Sequence, residues 1–314
     1  MTSRAVPRSQ PFAAVMDVAW RVLAIAIVST LVGRLLGLLS GPRPAPTPAY
    51  FETVAVGLIT GAVEALVLLP LARRLPYQMR TRFLVLFVLL YWIELLSNLV
   101  EAAVNTDLPV GQLVAAAVIF ALPSAVTAWM IARLFPATEP PGSAPGLTEI
   151  LRRRPLHSWA WRILVAGLLF AVFLQVFGVL WGPLIARYYQ DPTYIAQAHT
   201  VKAPDYLVWP EEFIRGIMFV LVLLPVLAVF PGRGRMDLLR TAAYVALIDA
   251  AFESWLPMLA MTTFPLGFRI GEGLDLTTDA IARGIIVATL LALPRPGGPI
   301  NSSESPTRVG DGAR

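Results

Sequence analysis

Apolar runs alternate with short polar interruptions along most of this chain, and the runs are long. They predict helices over about 18–40, 52–72, 83–104, 111–134, 160–182, 211–230, 238–260 and 276–294. A segment that crosses a bilayer needs roughly 20 mostly apolar residues, and each of these runs is close to that length. The last is broken by Asp279 and Arg283, and the stretch from Leu184 to Trp209 has room for a further element at or outside the membrane. The pattern predicts an all-α integral membrane protein of eight transmembrane helices.

The pattern is also written twice. Gly37-Leu-Leu-Ser-Gly41-Pro42 returns as Gly178-Val-Leu-Trp-Gly182-Pro183, and Trp20-Arg21 returns as Trp161-Arg162, both at an offset of 141 residues. Leu66-Val-Leu-Leu-Pro70 returns letter for letter at Leu221–Pro225, Pro76 maps to Pro231 and Ile93-Glu94 maps to Ile248-Asp249, all at an offset of 155. Self-similarity at a fixed offset is the signature of internal repetition. Four spans per repeat is an even number, so both repeats enter from the same side and form two tandem repeats of parallel topology. The expected organisation is an N-terminal segment at 1–17, a first four-helix repeat at 18–136, a linker at 137–159, a second repeat at 160–294 and a disordered tail at 295–314.

Charge orients the chain. Only 14% of residues are charged, against about 25% in soluble domains, and the basic ones are unevenly placed. Eighteen lie in the N-terminal segment, the loops after spans 2 and 6, the linker region and the tail, whereas four (Arg43, Arg187, Lys202 and Arg269) fall on the other side. That bias predicts both termini in the cytoplasm of a cell with the chain in its plasma membrane. It also accounts for the basic pI without nucleic acid. The run from Trp20 to Ser40 is longer than a signal-peptide core of roughly 7–15 residues, so it is read as the first span.

The second half has 14 extra residues near its first external connection, where Tyr188, Tyr189, Tyr194, Tyr206 and Trp209 cluster. Interfacial aromatics make this an external cap or a lid. Gly33, Gly37 and Gly41, Gly57 and Gly61, and Gly178 and Gly182 keep a four-residue step. Such faces let helix backbones approach closely, within one bundle or between copies of the chain. Pro70, Pro123, Pro225 and Pro257 predict kinks or terminations.

The chemistry lies in ionisable residues within the spans. Glu64 is in span 2; Glu94, Asn98 and Glu101 share one face of span 3; Asp249 and Glu253 occupy the matching positions of span 7; Asp279 is in span 8. Arg34, Arg215 and Arg283 are the candidate counter-charges. Each such group costs at least about 2.5–3.5 kcal/mol at the bilayer centre, so all should face the bundle interior and pair. One polar cavity, open or nearly open to the outside, is the expectation. Its arginines either only pin the helices together or leave an excess of acids that is protonated, solvated or bound to a cation.

Several chemistries are set aside. There is no cysteine, and the two histidines, His157 and His199, lie outside the spans, so neither a metal site nor a cofactor is expected. No Gly-rich phosphate loop or nucleophile elbow occurs. Glu211-Glu212-Phe213-Ile214-Arg215 resembles, one residue short, the Glu-Glu-x-x-x-Arg signature of CAAX-processing and bacteriocin-processing intramembrane proteases. That family also needs histidines on later helices, and no histidine follows His199. More broadly, the duplicated layout, Arg215-Gly216, and Phe264-Pro265 followed by Arg269 and Glu272 are similar to uncharacterised bacterial multi-pass membrane proteins. This resemblance implies an architecture and no activity. The functional expectation is binding or passage of a small solute, lipid headgroup or cation, with a membrane scaffold or assembly factor as the alternative and an intramembrane hydrolase as the third.

Overall fold

The computed structural model describes residues 10–40, 48–143, 147–192, 195, 199, 201, 203–230, 234–262 and 264–291. Among these the chain is helical and has no strand. The long helices are α1 (Gln10–Ser40), α2 (Pro48–Arg74), α3 (Met79–Asn105), α4 (Val110–Leu134), α6 (Leu156–Tyr189), α7 (Asp205–Val229), α8 (Arg235–Ala260) and α9 (Leu266–Leu291). A short helix, α5 (Leu147–Arg152), lies in the linker. Seven of the long helices, α9 being the exception, are apolar and long enough to cross a membrane. Their outward side chains suit lipid: Leu31 on α1, Val118 on α4 and Val179 on α6 are 61%, 69% and 80% exposed.

α1 begins at Gln10 against the expected 18 and α7 at Asp205 against 211, and two further helices depart from their expected bounds. α9 begins at Leu266, ten residues before the expected start, and α6 runs from Leu156 to Tyr189, beyond 160–182 at both ends. In these last two, polar residues that read as loop are satisfied on a helix. Arg269 donates from Nε to the Met258 carbonyl at 2.6 Å, closing the end of α8, and Tyr189 donates its hydroxyl to Glu272. The aromatic segment divides. Tyr188 and Tyr189 pack edge-on against Phe268 at 5.7 and 5.9 Å, Tyr206 is exposed, and Tyr194 lies outside the described residues. Gly41, Arg43, Lys202, Arg233 and the tail at 295–314 also lie outside them.

The helices pair in a regular way. α1 packs on α2 and α4, and α3 on α4; α6 packs on α7 and α9, and α8 on α9. The two sets meet through α2, α3, α7 and α8. Close approach is set by glycine at a few points. A Cβ on Gly61 would lie 2.8 Å from Ala26 Cα, one on Gly216 2.9 Å from Gly167 Cα, and one on Gly284 2.4 Å from the Ala242 carbonyl. By contrast, Gly33, Gly37, Gly178 and Gly182 have nothing within 4 Å of that position. The four-residue glycine step therefore serves packing within the bundle in α2 and not in α1 or in this part of α6.

Helices α3 and α8 each contain one π-helical segment, Tyr91–Leu96 and Ala250–Trp255, and the two segments touch. A π segment inserts an extra residue into the turn and re-aims the side chains around it. Each has a glutamate at its fourth position, Glu94 and Glu253. The helix ends pair Glu94 with Asp249, as the sequence offset does, whereas the π segments pair it with Glu253, one turn further on.

At one end of the bundle, arginines close the helix termini. Arg21 donates to the Leu134 carbonyl at 2.5 Å, Arg82 to the carbonyls of Ala72 (3.0 Å) and Phe135, and Arg162 and Arg154 to Leu290 at 2.6 and 3.2 Å. The last carbonyls of a helix have no intrahelical donor, and a cation there complements the helix dipole. At the opposite end, the loops after α3 and before α7 are tied by Val201 N–H to Asn105 O and Asp107 N–H to His199 O, both 3.0 Å.

Candidate functional site

The acidic helix positions form a buried network in the second half. Four-residue spacing places Asp249 and Glu253 on one face of α8 and Asp279 and Arg283 on one face of α9. Arg283, 4% exposed, lies 3.6 Å from Asp249 and pairs with Glu253 and Asp279. Its guanidinium also sits 5.0 Å above the Phe170 ring of α6. Asp249 is fully buried and receives no N–H or O–H donor among the described residues.

A second arginine stands beside the first. Arg215 of α7 is 2.6 Å from Glu212, 3.4 Å from Glu211 and 3.1 Å from the half-exposed Glu101 of α3. Its Nε donates to Ser97 Oγ at 3.1 Å, and Ser97 hydrogen-bonds Glu253, so one serine of α3 joins both guanidinium groups. Glu272, held by Tyr189, and Asp275 extend the cluster along α9; Asp275 Oδ1 is buried with no hydrogen-bond partner. Eight carboxyl groups thus gather about two guanidinium groups.

The first half holds a different feature, a cavity of about 540 Å³ between α1, α2, α3 and α4. Glu64 and Glu94 line it at hydrogen-bonding distance from each other, and Thr127 hydrogen-bonds Glu64. Ser29 bonds Thr127 at 2.7 Å, and Arg34, Thr53, Gly33 and Gly37 line the rest with Val56, Leu95, Phe120 and Pro123.

The expectation of one polar cavity gives way to two neighbouring sites. Asp249, Glu253, Asp279 and Arg283 come together, Glu101 joins Arg215 next to them, and Glu64, Glu94 and Arg34 line the separate cavity. Asn98 enters neither; its Nδ2 donates to the Glu94 carbonyl at 3.0 Å. Glu211 and Glu212 are buried at 5% and 3%. Their steps of four and three from Arg215 were the available signal. Ser97 and Glu272 had none, because each matters only through a partner on another helix, whereas Asp275, four residues before Asp279 on α9, carried the same signal.

The protease-like signature is accounted for differently. Both of its glutamates are engaged by Arg215, and His199 is exposed and paired with Asp107 at 3.1 Å. Among the described residues no group of three or more His, Asp or Glu side chains is placed to hold a metal ion. No protein-family model, curated protein or solved structure matches the chain.

Proposed function

We propose that this chain is a carrier-like plasma-membrane protein of eight spans that binds or translocates a small solute, lipid headgroup or cation. Its two halves are tandem parallel four-helix repeats with both termini cytoplasmic. The repeated helix pairing and the π segment in the third helix of each half support the repeat, and the arginines crowded at one end support the orientation. Sites at the interface of such repeats are common in carriers.

The observation that carries the reading is the excess of acids. A network built only to pin helices would balance its charges, because an uncompensated buried ion costs several kcal/mol. Here eight carboxyl groups, one of them the half-exposed Glu101, face two arginines, an excess that protons, water or a bound cation would complete. Asp249 lacks a hydrogen-bond donor among the described residues, as do Glu211 and Asp275 Oδ1, and these are the groups left for such a partner.

The competing reading, a scaffold, draws on the completeness with which Arg215 and Arg283 are surrounded. Melting of the purified protein in sodium, potassium and ammonium chloride, at one pH and ionic strength, separates the two. On the carrier reading at least one cation raises the wild-type melting temperature and leaves Asp249→Asn plus Glu253→Gln unmoved. Identical responses in both proteins would favour the scaffold.

A further inference from the structure

The cavity of the first half differs from the network in three ways: it is open space, it has one acidic pair, and much of its wall is apolar. Two carboxyl groups at hydrogen-bonding distance share a proton unless a cation sits with them and lets both stay ionised. Glu64 and Glu94 are such a pair, on different helices, and Glu64 is 4% exposed. A bare inorganic ion does not fill about 540 Å³, a volume within the usual range for small-molecule pockets.

The helix register gives the cavity a direction. Gly61 of α2 meets Ala26 of α1, and Gly57 meets Thr30 one turn on. A further turn brings Thr53 level with Arg34, both of them lining residues. From Glu64 to Thr53 is eleven residues, or about 16 Å of helix. The acidic pair therefore lies at the deep end and Arg34 toward the end of the bundle away from the arginine-closed termini. Between them stand Val56, Leu95, Pro123 and the half-exposed ring of Phe120. An aromatic face beside a carboxylate is a recurring way to hold an alkylated ammonium group.

We infer that this cavity binds an organic ammonium ion, its charged head on Glu64 and Glu94 and its apolar substituents on Val56, Leu95, Phe120 and Pro123. The ammonium comes either from a soluble amine or from the headgroup of a lipid, whose phosphate would reach Arg34. The inference rests on the carrier reading and names its ligand class. Its variants leave Asp249 and Glu253 in place, so it can fail while the cation response of the network persists.

The test is melting of the full-length protein in tetramethylammonium chloride against sodium chloride at equal ionic strength. Two variants accompany the wild type. Glu94→Gln removes one charge of the pair. Gly33→Leu fills the cavity, because an added Cβ there meets nothing within 4 Å and the acids are left intact.

Tetramethylammonium should raise the wild-type melting temperature with a saturable dependence. Its affinity should fall by about tenfold or more in Glu94→Gln, since truncating one side of a buried charge pair is costly. Gly33→Leu should melt like the wild type without ligand and lose the response. A second arm compares nanodiscs of phosphatidylethanolamine with phosphatidylglycerol. Extra stability in the former that tetramethylammonium does not increase assigns the headgroup source, and equal stability with a retained response assigns a soluble amine. A wild-type response no larger than that to sodium overturns the inference, as does an undiminished response in Gly33→Leu, which decides the matter if Glu94→Gln does not fold.

Discussion

Replacing Arg283 by Met is the sharpest probe of how the second half is held together. The guanidinium is 4% exposed and neutralises Asp249, Glu253 and Asp279, which are 0%, 6% and 1% exposed. At an effective dielectric constant of about 20, the 3.6 Å contact with Asp249 alone is an attraction of about 5 kcal/mol. Desolvation offsets most of that in the intact pair, but removing one partner leaves the acids uncompensated, which typically costs about 3–5 kcal/mol. Methionine keeps much of the volume beside Phe170, so packing contributes little to the loss. Unfolding by a denaturing detergent should therefore show Arg283→Met destabilised by about 3–5 kcal/mol. Adding Asp249→Asn and Asp279→Asn to it should recover part of the loss, because of the three acids only Glu253, which Ser97 also holds, is then left without its arginine. A cost below about 1 kcal/mol for Arg283→Met, the scale of a solvent-exposed pair, or a triple variant no better than the single one, would refute this electrostatic account.

Three further outcomes follow from the structure. Gly284→Ala places a Cβ 2.4 Å from the Ala242 carbonyl, so α8 and α9 must part, and a loss of about 1–3 kcal/mol is expected in the same unfolding assay. Gly178→Ala, with nothing within 4 Å, should cost nothing and gain up to about 1 kcal/mol of helix propensity. In the loop before α6, burial and the charge of Arg162 pull the Arg154 guanidinium down to about 10. The unfolded chain then holds that proton more tightly than the folded one, so the site's contribution to stability rises with pH from about 10 up to the ordinary arginine range. Melting curves at pH 9, 10 and 11 should show this rise in the wild type relative to Arg154→Met.

Much of the helical framework was legible because apolar run length and basic loops are local signals. Among the described residues eight long helices overlap the eight runs, and α2, α3 and α4 differ from the expected bounds by only a few residues at most ends. The start of α9 was hidden because Arg269 and Glu272 look like loop chemistry until Met258 and Tyr189 supply their partners. The intramembrane acids were visible as residues, and their i, i+4 pairs were visible as faces. What the sequence could not show was which faces meet. Glu64 and Glu94 separate from Asp249 and Glu253 because α1 and α4 enclose one pair while α9 brings Arg283 to the other. The π segments left no mark in the apolar pattern, yet matching the two halves on them shifts the counterpart of Glu94 from Asp249 to Glu253.

The central claim is that the acids of α8 are held for binding rather than for cohesion. In Asp249→Asn plus Glu253→Gln, Arg283 keeps Asp279 on its own helix, one cation against one anion, and α8 and α9 stay packed through Gly284 against Ala242 and Ala246. The most direct measurement is the melting temperature of this double variant and of the wild type in detergent across pH 5 to 9. The account predicts a variant at least as stable as the wild type that has lost the wild type's pH dependence. A variant that melts far lower at every pH would contradict it and make those acids structural partners of the arginine.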